Sequence, residues 1–206
     1  MTRIILYVFI CFALSSCFTM VDLQEAKVLD KGKNQIGLAS GYFVPAEDES
    51  SFGLDGSMFY KCGLGNSLEF GIRASWFMSG RMDLKYQFYK NRQETFFIAS
   101  GFNLGISAFT LEEQLGNFMA QVPIYATYAP VDWLSFYGNA KYTYHTPAIG
   151  WDQGLHLFSY NTGLRVGKKF GLMVEINHAP FYNSFFQTPI NFREISQIHG
   201  GMYLNF

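Results

Sequence analysis

Leu68-Glu69-Phe70-Gly71-Ile72-Arg73-Ala74-Ser75-Trp76 sets an apolar side chain at every even position and a polar or small one between. The next run repeats it, with Met82, Leu84, Tyr86 and Phe88 alternating with Asp83, Lys85 and Gln87. A 180° step per residue builds one apolar face on a β-strand, whereas on a helix the same residues scatter around the axis. Working outward in both directions, the period of two predicts ten strands, with eight as the alternative count. They fall at 34–44, 52–62, 67–77, 81–89, 95–109, 118–129, 133–146, 155–166, 170–179 and 195–206.

Composition narrows what such strands can build. Charged residues make up 15% of the chain, against about 25% in an ordinary soluble domain. With 22 Phe, 13 Tyr and 3 Trp among 206 residues, disorder is excluded, because too much apolar surface would be left to water. Past the first two dozen residues no apolar run approaches the roughly 20 residues that a membrane-spanning helix needs. Connections of two kinds alternate along the chain. Those at 63–66, 90–94, 130–132 and 167–169 are short, and those at 45–51, 78–80, 110–117, 147–154 and 180–194 are mostly longer. An even strand number with one trimmed and one elaborated end is the asymmetry of transmembrane barrels. The reading is therefore an all-β, antiparallel up-and-down transmembrane barrel.

The two ends of the chain carry signals of their own. Arg3 precedes eleven residues, 4–14, without a charge, which is the length of a signal-peptide core and too short for an anchor. That stretch runs into Leu14-Ser15-Ser16-Cys17, which resembles the bacterial lipobox. At the other end Met202, Leu204 and Phe206 alternate to an aromatic terminus that resembles the assembly signal of outer-membrane barrels. Together with the strands, these features resemble the small bacterial outer-membrane β-barrel lipoproteins.

The resemblance implies a removed leader over 1–16, a lipidated periplasmic segment over 17–33 and an outer-membrane barrel over 34–206. It implies an N-acyl diacylglycerol on Cys17, seated in the inner leaflet, and no other cofactor. Outer-membrane lipid and the barrel-assembly and lipoprotein-sorting machineries are the implied partners, with the longer loops extracellular. Cys11 falls in the leader and Cys17 under the lipid, so Cys62 has no disulfide partner. Without Arg3 the chain has 14 bases (15 − 1) against 16 acids, a net charge of −2 that gives no footprint for nucleic acid.

A soluble lipocalin-like barrel would also alternate. Here, however, the apolar face is large (Phe70, Ile72, Tyr86, Phe102, Ile124, Phe158) and the opposite face is small (Gly37, Gly71, Gly101, Gly163, Gly201). Large outside and small inside suits a narrow barrel in lipid. Nine charges fall on the predicted inner face: Asp55, Glu69, Asp83 and Glu175 against Lys61, Arg73, Lys85, Lys141 and Arg165. These nearly balanced charges suit either a mutually paired plug or an ion-selective lining. A ten-stranded lumen is little wider than one that side chains fill, which favours the plug.

Candidate chemistry is sparse. The histidines cluster at the long-loop ends of the last four strands, with parity turning His145 and His199 inward and His156 and His178 outward. The inward pair is the low-ranked candidate for a metal. Lipid A deacylases carry a His-x-Ser pair on a late strand, but here His178 is followed by Ala179-Pro180. Neither HExxH nor GxSxG occurs, so no catalytic residue is expected and the chain reads as a non-enzyme. Outer loops carry Glu47, Asp48, Glu49, Glu112, Glu113, Asp152 and Glu194 against Arg81 and Arg193, while 180–194 gathers Phe181, Tyr182, Phe185, Phe186 and Phe192. The expected role is structural or surface-interacting, with a narrow channel for small or apolar ligands as first alternative and a lipid-modifying enzyme as second.

Overall fold

The computed structural model describes residues 22–44, 54–75, 79–107, 117–147, 155–179 and 195–206. Ten antiparallel strands carry them: β1 Asn34–Val44, β2 Leu54–Gly65, β3 Leu68–Ser75, β4 Ser79–Lys90, β5 Phe96–Ser107, β6 Asn117–Val131, β7 Leu134–Pro147, β8 Leu155–Gly167, β9 Phe170–Ala179 and β10 Ile195–Asn205. Each strand pairs with its chain neighbours and β10 returns to β1, closing the barrel with no free edge. Ten strands, not eight, are present.

The ladders extend past the sequence estimate where pairing outlasts the alternation. At the head of β4, Ser79 faces Ser75 and Gly80 faces Ala74, so Arg81 lies inside the strand rather than in a loop. The short turns follow their residues. Asn66 and Ser67 take φ of 52° and 63°, the positive values a tight hairpin requires at both central positions. Between β4 and β5, Asn91 Oδ1 accepts from the N–H groups of Thr95 (2.8 Å) and Phe96 (2.9 Å). Across the same turn Lys90 donates to Glu94 at 2.6 Å, and that hydrogen bond holds the Glu94 carboxyl below the usual carboxylate range.

Alternation in the sequence becomes two faces of the wall. Ile124 is 57% exposed outward, while its neighbour Tyr125 is fully buried in the lumen. Outward aromatics gather at the short-turn rim, including Tyr86, Phe88, Tyr89, Tyr128, Phe136 and Phe170. Aromatic girdles of this kind mark the boundary between hydrocarbon and headgroups in membrane barrels. Met202, Leu204 and Phe206 also face out, along the β10 strand that seals against β1.

An outward residue near mid-strand tests this assignment of faces. Ile124→Arg is expected to cost about 2–4 kcal/mol of folding free energy in phospholipid vesicles, where the same change at the rim residue Val131 costs about 0–1 kcal/mol. Urea unfolding in vesicles of both variants measures the difference.

A candidate plug site in the lumen

Among the described side chains the wall turns six bases and three acids inward. Lys61, Arg73, Arg81, Lys85, Lys141 and Arg165 stand against Glu69, Asp83 and Glu175, each 7% exposed or less. The Asp55 side chain lies outside the described residues. Charges this deep persist only with partners, since an unpaired buried charge costs several kcal/mol. Register sharpens the demand, because Arg73 and Arg81 sit directly opposite one another on β3 and β4. Like charges so placed repel.

The chain supplies those partners from its own N-terminal segment. Residues 17–33 are expected below the barrel, but Asp22 to Leu29 run inside it. The Asp22 carboxylate pairs with Arg81 Nη1 at 2.8 Å and with Lys141 Nζ at 2.7 Å. Its carbonyl accepts a hydrogen bond from Arg73, so one residue bridges the repelling pair. Its N–H, with that of Leu23, donates to the two oxygens of Glu175 at 3.1 and 2.9 Å. Lys61 donates to the Leu23 carbonyl at 3.2 Å, and Gln24 Nε2 donates to Asp83 at 2.8 Å. Glu25 pairs with Arg165 at 2.9 Å and accepts from Ser135, while its carbonyl accepts from Lys85 at 2.8 Å.

An extended peptide inside a closed barrel has no neighbouring strand to take its backbone hydrogen bonds. Wall side chains fill that role here. Thr127, Gln87 and Glu69 accept from the N–H groups of Ala26, Val28 and Leu29 at 2.7, 3.0 and 3.0 Å. Two apolar residues complete the fit. Leu23 packs among Ala39, Phe59, Tyr137, Met173 and Tyr203, and Ala26 joins the cluster of Phe97, Ala99, Tyr125 and Ala129. Two glycines give the segment its room. A Cβ at Gly201 would lie 2.6 Å from Leu23 Cδ1, and one at Gly63 would lie 2.1 Å from the Asp30 carbonyl oxygen.

The lumen charges therefore do more than neutralise one another across the wall. Lys85–Glu69 and Arg81–Asp83, both at 2.7 Å, are direct wall pairs, and the remainder grip the segment. Sequence parity finds Lys61, Glu69, Arg73, Asp83, Lys85, Lys141, Arg165 and Glu175 but misses Arg81, Asp22 and Glu25. A usable signal was present: once Arg81 counts as inward the wall has an excess of bases, and the nearest unassigned acids are Asp22 and Glu25.

No protein-family model matches the chain, and neither does any curated protein sequence. Solved structures do match. An outer membrane channel from Pseudomonas putida F1 superposes with a TM-score of 0.50 at 8% identity, covering 90% of this chain and 100% of that one. The N-terminal β-barrel domain of Pseudomonas aeruginosa OprF matches at 0.42 and 9%, over 86% and 100%. Ail of Yersinia pestis, the attachment invasion locus protein, matches at 0.35 and 10%, over 85% and 99%. The fold is that of bacterial outer-membrane β-barrels. At these identities the likeness is one of architecture alone.

Within this barrel the histidines separate. His199 is fully buried beside Gln197, with Nε2 at 3.0 Å from Oε1, and His145 is 7% exposed. His156 contacts the rings of Tyr142 and Tyr144, and His178 that of Tyr160, on the outer face at the long-loop rim. No group of three or more His, Cys, Asp or Glu side chains among the described residues is placed to hold a metal ion. Cys17, residues 180–194 and the acidic loop residues from Glu47 to Glu49, Glu112, Glu113, Asp152 and Glu194 lie outside the described residues. Where the long-loop ends of β3 to β7 meet, an apolar depression of about 570 Å³ is lined by Ile72, Met82, Leu104, Ile106, Phe118 and Tyr144, among others.

Asp22→Ala removes the shared partner of Arg81 and Lys141 and is expected to destabilise the protein by about 3–5 kcal/mol. Denaturant unfolding in detergent micelles measures that loss. A Cβ at Gly201 would also lie 2.9 Å from the Leu38 carbonyl oxygen, so Gly201→Val is expected to push Leu23 off its site and strain the β1–β10 seam, read as faster amide hydrogen exchange at residues 23–29 and at the β10 ladder around Gly201 than at the β6–β7 ladder.

Proposed function

We propose that this protein is a lipid-anchored barrel of the bacterial outer membrane with a structural or surface-interaction role and a lumen closed by its own N-terminal segment. The observation that carries the closed lumen is the Asp22 bridge, in which buried Arg81, Lys141 and Arg73 converge on one residue of the inserted segment. Opening a water path there means separating buried ion pairs, which is costly. The apolar outer face and the aromatic girdle support a lipid setting. With the aromatic β10 terminus and the lipobox at Cys17, they support delivery by the barrel-assembly and lipoprotein-sorting machineries. Short turns facing the periplasm and longer loops facing outward follow the usual asymmetry of such barrels.

A second reading is a gated channel, favoured by one specific observation. Apart from its continuity with β1, the segment is held by hydrogen bonds, ion pairs and the packing of Leu23 and Ala26, with no disulfide to the wall among the described residues. Its withdrawal would leave a polar lumen.

Planar-bilayer recording separates the two. Intact protein is expected to give no steady single-channel current at neutral pH, and Asp22→Ala combined with Gln24→Ala is expected to give brief openings. A steady open current from the intact protein would sink the closed-lumen reading. Intact mass of the N-terminal peptide tests the lipid: the thioether-linked diacylglycerol and amide-linked acyl chain are expected on Cys17, and lost in Cys17→Ala.

A further inference from the structure

The short-turn end of the barrel carries charge as well as aromatics. Six exposed bases, Lys31, Lys33, Lys90, Arg92, Lys168 and Lys169, stand there against three exposed acids, Asp30, Glu94 and Asp132. Two of the acids are taken up within the rim, Glu94 by Lys90 at 2.6 Å and Asp132 by Lys168 at 2.9 Å. Among the described residues Lys31, Lys33, Arg92 and Lys169 form no ion pair, and Asp30 is the acid side chain left at the rim to face them.

Three of these lysines lie along one arc. Asn205 N–H donates to the Lys169 carbonyl at 2.7 Å and Asn34 N–H to the Phe206 carbonyl at 2.9 Å, so Lys169 and Lys33 flank the end of β10. On the other side of β1, Lys31 lies against the β2–β3 turn, where a Cβ at Gly65 would be 3.1 Å from Lys31 Cδ. Arg92 stands apart in the β4–β5 turn. Each lysine of the arc has an exposed apolar neighbour at the same rim. Leu64 precedes the glycine that Lys31 covers, Phe206 pairs with the residue after Lys33, and Phe170 follows Lys169. Apolar side chains with ammonium groups beyond them follow the order of hydrocarbon and phosphate in a phospholipid leaflet.

We propose that the arc from the β2–β3 turn to the β8–β9 turn docks the headgroups of anionic phospholipids, with Lys31, Lys33 and Lys169 on the phosphates and Leu64, Phe170 and Phe206 among the first acyl carbons. This rests on the lipid setting proposed above, and with the short turns facing the periplasm the lipids are those of the inner leaflet. Charge complementarity selects the partner, since each lysine near an anionic bilayer surface favours it about five-fold. By sequence the long loops carry mainly acids, so the same lipids are disfavoured at the other end. Lys31 and Lys33 join the inserted residues 22–29 to β1, so headgroups held there also fix the foot of the plug.

The test is quenching of a single tryptophan by brominated lipid, with the full-length protein in phosphatidylcholine vesicles at low salt. Phe170→Trp is the reporter, in a background of Trp76→Phe, Trp133→Phe and Trp151→Phe. Brominated phosphatidylglycerol is expected to be enriched at the reporter at least about five-fold over brominated phosphatidylcholine. Lys31→Gln, Lys33→Gln and Lys169→Gln combined are expected to bring the ratio close to one. Raising the salt to about 1 M, where the Debye length is about 3 Å, is expected to do the same. Equal quenching by the two lipids with the lysines intact, or enrichment that survives the triple substitution, overturns the headgroup proposal and leaves the lipid setting standing. No quenching by either lipid overturns the lipid setting itself. Loss of the enrichment on adding inorganic phosphate at constant ionic strength assigns the arc to a soluble anion and overturns the phospholipid docking.

Discussion

One carboxylate organises the interior of this barrel. Pairing of β3 with β4 sets Arg73 and Arg81 face to face in the lumen, and closure of the barrel brings Lys141 to the same carboxylate from β7. The wall answers that convergence only in part, through Asp83 on Arg81. Asp22 supplies the rest by placing two carboxylate oxygens on Arg81 and Lys141 and a carbonyl on Arg73. Remaining segment contacts follow from that anchor: the Leu23 N–H donates to Glu175, its carbonyl takes Lys61, and the next residues meet β4 in turn. Removing one partner from such a set costs far more than the net worth of any single pair.

The outer surface answers a different solvent. Lipid cannot accept a backbone hydrogen bond, so every N–H and C=O of the wall has to be spent within the sheet, and closure of β10 on β1 achieves this. The apolar outward row is then compatible with hydrocarbon and the aromatics with its boundary. Inside, the extended segment poses the same backbone problem, solved by side chains instead of a ladder. Thr127, Gln87 and Glu69 act as the missing neighbour strand.

The barrel wall alone assigns no role. Architecture shared with an outer membrane channel at 8% identity leaves the role to the lumen and loops. Here the lumen is occupied along the height between Glu69 and Arg81 by part of the same chain. Under the proposed closed-lumen reading, conduction begins with movement of the segment.

Much of the barrel was legible from the period of two. All ten strands, the outward apolar row, and eight of the inward charges are local properties: successive side chains on a strand must point to opposite faces, whatever the rest of the chain does. Arg81, first residue of its strand by the alternation and so counted with the outer loops, lies two residues inside β4 because Ser79 and Gly80 pair with β3, and pairing is decided between strands rather than within one. The segment from Asp22 to Leu29 was read as a polar lead-in because it has no alternation of its own. Its path is fixed by charges at residues 61, 73, 81, 141, 165 and 175, which closure alone brings together. The sequence determined by itself the wall and its two faces, through a two-residue repeat that needs no distant partner. Only the tertiary structure decided what fills the barrel, because buried charges choose their partners by distance in space and not by distance along the chain.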